Sequence, residues 1–247
     1  LLPAYRSQPE LVQTQVKLGI EVFKKHLELT PTGFWMPEMA YYTGLDSLLV
    51  DNGISYTFCD TRAVYLNGNP PDPGHLAPSM SPASLAFFPR DPALSMAVWS
   101  AQHGYPGDYR YREFHHDYIY QLPDGLLETE GIDRIPAGLK LYAITGETMD
   151  KDWYHPGAAR KQVTAHADDF MTKIRQRANE MKDNVKNPVF ILPFDMELFG
   201  HWWFEGPQFI EEICRRINEV EDIVMEAPDS FLEKGDLPGF TPAESSW

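Results

Sequence analysis

Cysteine is nearly missing from this chain: 247 residues hold two, Cys59 and Cys214. Two cysteines make no disulfide framework, and the count fits a reducing compartment, the cytoplasm. Long apolar runs are missing as well. No stretch approaches the roughly 18 consecutive apolar residues of a membrane-spanning helix, so no membrane partner is indicated. Positive charge is scarce, with 21 Lys and Arg against 36 Asp and Glu, a net charge of −15 and a pI near 4.9. Such a surface repels nucleic acid and anionic lipid, while a neutral polymer is indifferent to it. A glycine-rich phosphate loop and a Gly-x-Ser-x-Gly nucleophile turn are both absent. None of the eight histidines shows the His-x-x-x-His spacing that mounts a metal on one helix face. Adjacent His115 and His116 point to different faces of any regular element, so they make a poor pair of ligands. Neither a metal nor a cofactor is indicated.

What is present is apolar and aromatic. Hydrophobic residues make up 43% of the chain and aromatics 13%, enough for one α/β domain with a sizeable core. The run Phe194-Asp195-Met196-Glu197-Leu198-Phe199-Gly200-His201-Trp202-Trp203-Phe204-Glu205-Gly206 follows the apolar stretch Val189-Phe190-Ile191-Leu192. Paired tryptophans among acids are more than a core requires. They suit a sugar site, where aromatic faces stack on pyranose rings and carboxylates bind hydroxyls or move protons. A second acid in similar company stands 157 residues upstream, in Gly33-Phe34-Trp35-Met36-Pro37-Glu38-Met39-Ala40-Tyr41-Tyr42. Two carboxylates are what glycosidic bond chemistry needs, one at the anomeric carbon and one at the leaving oxygen. Spacing alone is only suggestive, because 36 acids allow many pairs.

Helical and strand signals alternate along the chain. Val12, Val16, Ile20, Phe23 and Leu27 recur at helical spacing between Pro9 and Pro31. A strand carrying Trp35, a short helix over Leu45–Asp51 and a strand over Ile54–Phe58 follow. Residues 67–84, with five prolines, read as a loop, and Leu85–Phe88 as a strand. Residues 99–120 are aromatic and irregular. Val163, Ala167, Phe170, Ile174, Ala178 and Met181 mark a long helix; a strand over 189–194 and a helix with Phe209, Ile213, Ile217 and Val220 complete the order. Such alternation implies a parallel sheet, with functional groups at the carboxyl ends of its strands, where Glu38 and Asp195 fall.

The motifs GFWMPEMAYY and FDMELFGHWWFEG closely resemble two signature regions of glycoside hydrolase family 57, in the branch that holds 1,4-α-glucan branching enzymes. The likeness extends to Val98-Trp99-Ser100, Gly104-Tyr105-Pro106-Gly107-Asp108, Tyr111-Arg112-Glu113-Phe114 and Ser245-Ser246-Trp247. The resemblance implies a (β/α)7 barrel, an irregular relative of the eight-stranded one. Residues 1–247 would form a partial catalytic barrel, lacking the family's N-terminal strands and C-terminal helical region. It implies Glu38 as nucleophile and Asp195 as general acid/base of a retaining mechanism, for which carboxyl groups about 5–5.5 Å apart are required. The substrate implied is an α-glucan such as amylose or a glycogen-like polymer. Candidate sugar contacts are Trp35, Trp99, Tyr105, Asp108, Arg112, His201, Trp202, Trp203 and Trp247, with two or three of the tryptophans expected to face a cleft. Asp108 and Arg112 are candidates to orient sugars or to pair with each other, and Glu197 and Glu205 to support the site from behind.

Several rivals stand beside this reading. Polysaccharide deacetylases share a similar partial barrel but need a metal held by an Asp and a His-x-x-x-His pair. A catalytically silent glycan-binding barrel is an alternative of another class. Within the family, α-amylase-type hydrolysis and 4-α-glucanotransfer compete with branching. Family branching enzymes carry a tyrosine near the tip of a loop that shields the intermediate from water. Residues 67–84 resemble that loop and hold no tyrosine. This departure favours competition by water.

Overall fold

A computed structural model describes residues 2–247 except Glu147, Met149 and Lys186. In chain order the regular elements are α1 (Pro9–Leu27), β1 (Gly33–Phe34), α2 (Leu45–Asp51), β2 (Tyr56–Cys59), α3 (Arg62–Tyr65), β3 (Ser79–Met80), β4 (Ala86–Pro89), α4 (Pro92–Trp99), α5 (Asp124–Glu130), α6 (Pro156–Met181), α7 (Gly206–Asn218) and α8 (Pro228–Lys234). Contacts divide the chain into two compact units. The first comprises Leu1–Pro92, Arg177–Pro193 and Met225–Trp247; the second comprises Ala93–Gln176 and Phe194–Val224. The α/β class with a parallel sheet, expected from the alternating pattern, is what the described residues form.

The first unit is built on a sheet in the order β1-β2-β4-β3. Strands β1, β2 and β4 run parallel, and β3 lies antiparallel along β4. All four residues of β4 are buried, as befits a parallel strand covered on both faces. Its alternation sorts them: Phe87 joins Val12 and Val16 of α1, Leu45 and Leu49 of α2, and Ala63 and Val64 of α3. Ala86 and Phe88 face the other way, toward Ile191 and Tyr56, Phe58 and Phe231. Gly33 opposes Tyr56 in the register, and any side chain there would collide with the tyrosine ring. A side chain at position 33 would force the Tyr56 ring to move.

The helix expected after Pro9 forms as α1, and its apolar stripe is buried at Val12 and Val16 but exposed at Phe23 and Leu27. Two expectations need correction here. The strand expected over 189–194 does not form. Because β3 already occupies the edge of β4 opposite Ala86 and Phe87, only Ile191 pairs, through a parallel bridge to Arg90. The loop expected over 67–84 contains β3, a two-residue strand with no periodicity to announce it.

The second unit packs α6, up to Gln176, and α7 around aromatic rings. Val163, Ala167, Phe170 and Ile174 of α6 and Phe209 and Ile213 of α7 are buried. The irregular segment expected over 99–120 supplies Tyr105, 5.5 Å from the Phe209 ring, and Tyr111, 5.6 Å from Trp203. Among the described residues, no helix is long and apolar enough to cross a membrane.

Truncating a ring at the centre of the first core has a defined cost. Phe87→Ala should lower unfolding stability by about 3–5 kcal/mol, read from denaturant unfolding. Met196→Ala, at a side chain 90% exposed, should change it by no more than about 0.5 kcal/mol.

Candidate active site

In the first unit the parallel strands deliver charged and aromatic groups at their carboxyl ends. Beyond β1, Glu38 (φ 58°, ψ 23°) and Met39 (φ 46°) both adopt the left-handed conformation. For residues with a Cβ this costs about 1–2 kcal/mol each, so the turn must be held from outside. Met39 is fully buried, and its amide donates to the Met36 carbonyl at 2.7 Å. The segment ending at Trp247 clamps the other side: Tyr41 and Ser245 exchange backbone hydrogen bonds, and the Trp247 amide donates to the Glu38 carbonyl at 3.1 Å. The indole Nε1 of Trp247 also donates to Glu38 Oε2 at 2.6 Å. Glu38 is thus exposed yet oriented. Trp35 lies edge-on to Trp247, with ring centroids 5.6 Å apart. Glu38, Trp35 and Trp247 are brought together.

Residues after β2 and β4 complete this cluster, and the sequence reading had not singled them out. Asp60 is 4% exposed. Its Oδ1 accepts from Arg62 Nε at 2.7 Å and its Oδ2 from Arg90 Nη2 at 2.7 Å. Burial alone would raise its pKa, but the hydrogen bonds from Arg62 and the charges of Arg62 and Arg90 outweigh burial and hold it below the usual carboxylate value. The Arg90 guanidinium lies 5.2 Å from the Trp247 ring centroid. A signal was available: Cys59-Asp60 and Pro89-Arg90-Asp91 place charges directly after apolar strands.

In the second unit, half-buried Asp195 opens a one-turn 3-10 helix, Met196–Leu198, and its carbonyl accepts from the Leu198 amide at 3.1 Å. Gly200 (φ 100°) then bends the chain, and hydrogen bonds between Leu198, Gly200 and Trp203 close a tight loop. This bend separates the two tryptophans. Trp202 is 48% exposed, donates its indole N–H to Glu197 Oε1 at 3.1 Å, and lies 4.5 Å from the Phe114 ring. Exposed His201 packs on the same phenylalanine at 5.1 Å. Trp203 is 1% exposed and packs on Phe209 at 5.0 Å, so it is a core residue and not a stacking platform.

Other expected sugar contacts are committed internally. Tyr105 is buried and donates its hydroxyl to Asp169 at 2.7 Å. Asp108 pairs with Arg110 through two 2.7 Å hydrogen bonds, not with Arg112. The guanidinium of Arg112 instead stacks 3.6 Å from the Phe204 ring centroid, and its amide donates to Glu205 at 3.1 Å. Trp99, at the end of α4, is 39% exposed. Glu205 is buried, and burial raises its carboxyl above the usual value despite hydrogen bonds that favour the ionised form. Among the described residues, no group of three His, Cys, Asp or Glu side chains could hold a metal ion.

The model of glycosyl hydrolase family 57 matches residues 1–237. The chain belongs to this family. Among solved structures, an alpha-amylase from Thermotoga maritima is 37% identical with a TM-score of 0.92, over 100% of this chain and 49% of that one. A family 57 branching enzyme from Thermococcus kodakaraensis is 25% identical with a TM-score of 0.80, over 97% of this chain and 46% of that one. Among curated proteins, a probable 1,4-alpha-glucan branching enzyme of Mycobacterium tuberculosis is 29% identical over 97% of this chain. The chain spans only 42% of that relative's length. The fold is that of the family 57 structures it matches, the (β/α)7 class expected from the motifs.

Glu205 gives a stability test with a definite sign. Its native pKa is raised, so the folded protein loses stability as pH climbs from the ordinary glutamate value of 4.5 through the raised one. Glu205→Gln should remove that decline. The stability difference between wild type and variant should be flat below this window and fall across it, as measured by denaturant unfolding at a series of pH values.

Proposed function

We propose that this chain carries catalytic machinery of a retaining α-glucan-acting enzyme, with 1,4-α-glucan branching as its main activity. The observation that carries this reading is Glu38, presented from a strained turn beyond β1 and holding an indole N–H on its carboxylate beside Trp35. Glu38 is the nucleophile: its carboxylate attacks the anomeric carbon as the bond to the leaving glucan oxygen breaks. Asp195 is the acid and gives that oxygen its proton. In the second step Asp195 takes the proton of an acceptor 6-hydroxyl, which attacks the anomeric carbon and frees the Glu38 carboxylate. Trp35 and Trp247 stack on sugars near the nucleophile; His201, Trp202 and Phe114 offer an exposed aromatic surface for the glucan near Asp195. Residues 1–247 form part of a catalytic barrel domain, and two cysteines, too few for a disulfide framework, fit the cytoplasm.

Hydrolysis is the second reading. Two observations favour it: residues 67–84 hold no tyrosine, and the similarity to an alpha-amylase is 37%. Incubation with amylose separates the readings. Branching creates α-1,6 linkages, released as short chains by a debranching enzyme, with few new reducing ends; hydrolysis creates reducing ends alone. A binding barrel gives neither product while still being retarded in a starch-containing gel.

Glu38→Gln should reduce turnover of amylose to background with an unchanged unfolding midpoint. Asp195→Asn should slow poor leaving groups by about 10²–10⁴-fold and activated aryl glucosides far less in the first step. Substantial turnover of amylose by Glu38→Gln would overturn the assignment.

A further inference from the structure

We infer that Arg90 and Asp60 are positioning residues for the Glu38 carboxylate and act through Trp247. This inference rests on the reading of Glu38 as nucleophile and adds a line of support to it. Glu38 is exposed, and an exposed glutamate explores several rotamers. The hydrogen bond from Trp247 Nε1 fixes the carboxylate only as well as the indole plane is itself fixed.

Trp35 and Arg90 are among the groups that meet the indole. Trp35 is tilted 68° to it, an edge contact. Arg90 lies over the ring at 5.2 Å, where the guanidinium is drawn to the electron-rich face. Arg90 is itself tightly held. Its side chain is largely buried, and its Nη2 is bonded to Asp60 Oδ2. The backbone ties the two together, because β2 and β4 are adjacent and the Arg90 amide donates to the Cys59 carbonyl at 2.9 Å. Asp60 cannot swing away, since its other oxygen is bonded to both the Arg62 amide and Arg62 Nε. The path from the sheet to the nucleophile is therefore Asp60, Arg90, Trp247, Glu38, each step a directional contact. A displacement on the order of 1 Å at a reacting atom costs about 100-fold in rate, so this path sets turnover more than affinity.

A double-mutant cycle tests the inference. Arg90→Met keeps bulk near the indole but removes the charge and the hydrogen bond to Asp60. Trp247→Phe keeps a ring but removes the N–H. Each should lower kcat on a maltooligosaccharide by about 10–100-fold while KM stays within about 2-fold. Because both act through one hydrogen bond, the double variant should be no slower than about 3-fold below the worse single variant. Arg90→Lys, which restores charge over the ring, should recover part of the loss. If Arg90→Met does not fold, Asp60→Asn with Trp247→Phe makes the same cycle. Multiplied losses, a rise in KM at constant kcat, or wild-type rates in Arg90→Met would each overturn the inference alone. An inactive wild type, or an active Glu38→Gln, would instead overturn the reading of Glu38 and the inference with it.

Discussion

The strained turn at Glu38 and Met39 is the constraint around which the first unit is organised. Two consecutive side-chain-bearing residues in the left-handed region are unfavourable locally, so their conformation must be imposed by tertiary contacts. Burial of Met39 supplies one contact and the pairing of Tyr41 with Ser245 another. Strain of this kind is found where a side chain has to be aimed. Here the aimed group is the carboxylate of Glu38, with its neighbours at the ends of three parallel strands.

The second unit places paired polar groups beside its aromatic core. Tyr111 and Gln162 bond the two ring nitrogens of His166, and Asp108 binds Arg110 by both oxygens. Such pairing favours one packing, whereas the buried indole N–H of Trp203 has no hydrogen-bond partner among the described residues. The exposed members of the segment, His201 and Trp202, pack on Phe114 outside this core.

Much of this was legible in the sequence, because it is local. The amphipathic pattern of α6 and the Pro9 start of α1 follow from spacing and from proline's place in a helix's first turn. The aromatic company of Glu38 is local in the same way: Trp35 lies three residues before it and packs on Trp247. Other features were not legible because they are non-local. Asp60 and Arg90 are 30 residues apart and meet only because β2 and β4 are neighbours in the sheet. Trp202 and Trp203 look equivalent in sequence, yet the bend at Gly200 sends one outward and one into the core. Asp108 bonds Arg110 because a turn brings the i+2 residue back, while the Arg112 guanidinium stacks on Phe204.

The sharing of one margin of β4 between β3 and Ile191 has a consequence for solubility. Ser79 and Met80 run against the strand at its start, and Ile191 runs with it at its end. Long unpaired strand margins template association with other chains. Here two short segments of opposite direction divide the margin, so another molecule finds no uninterrupted ladder on which to add a strand.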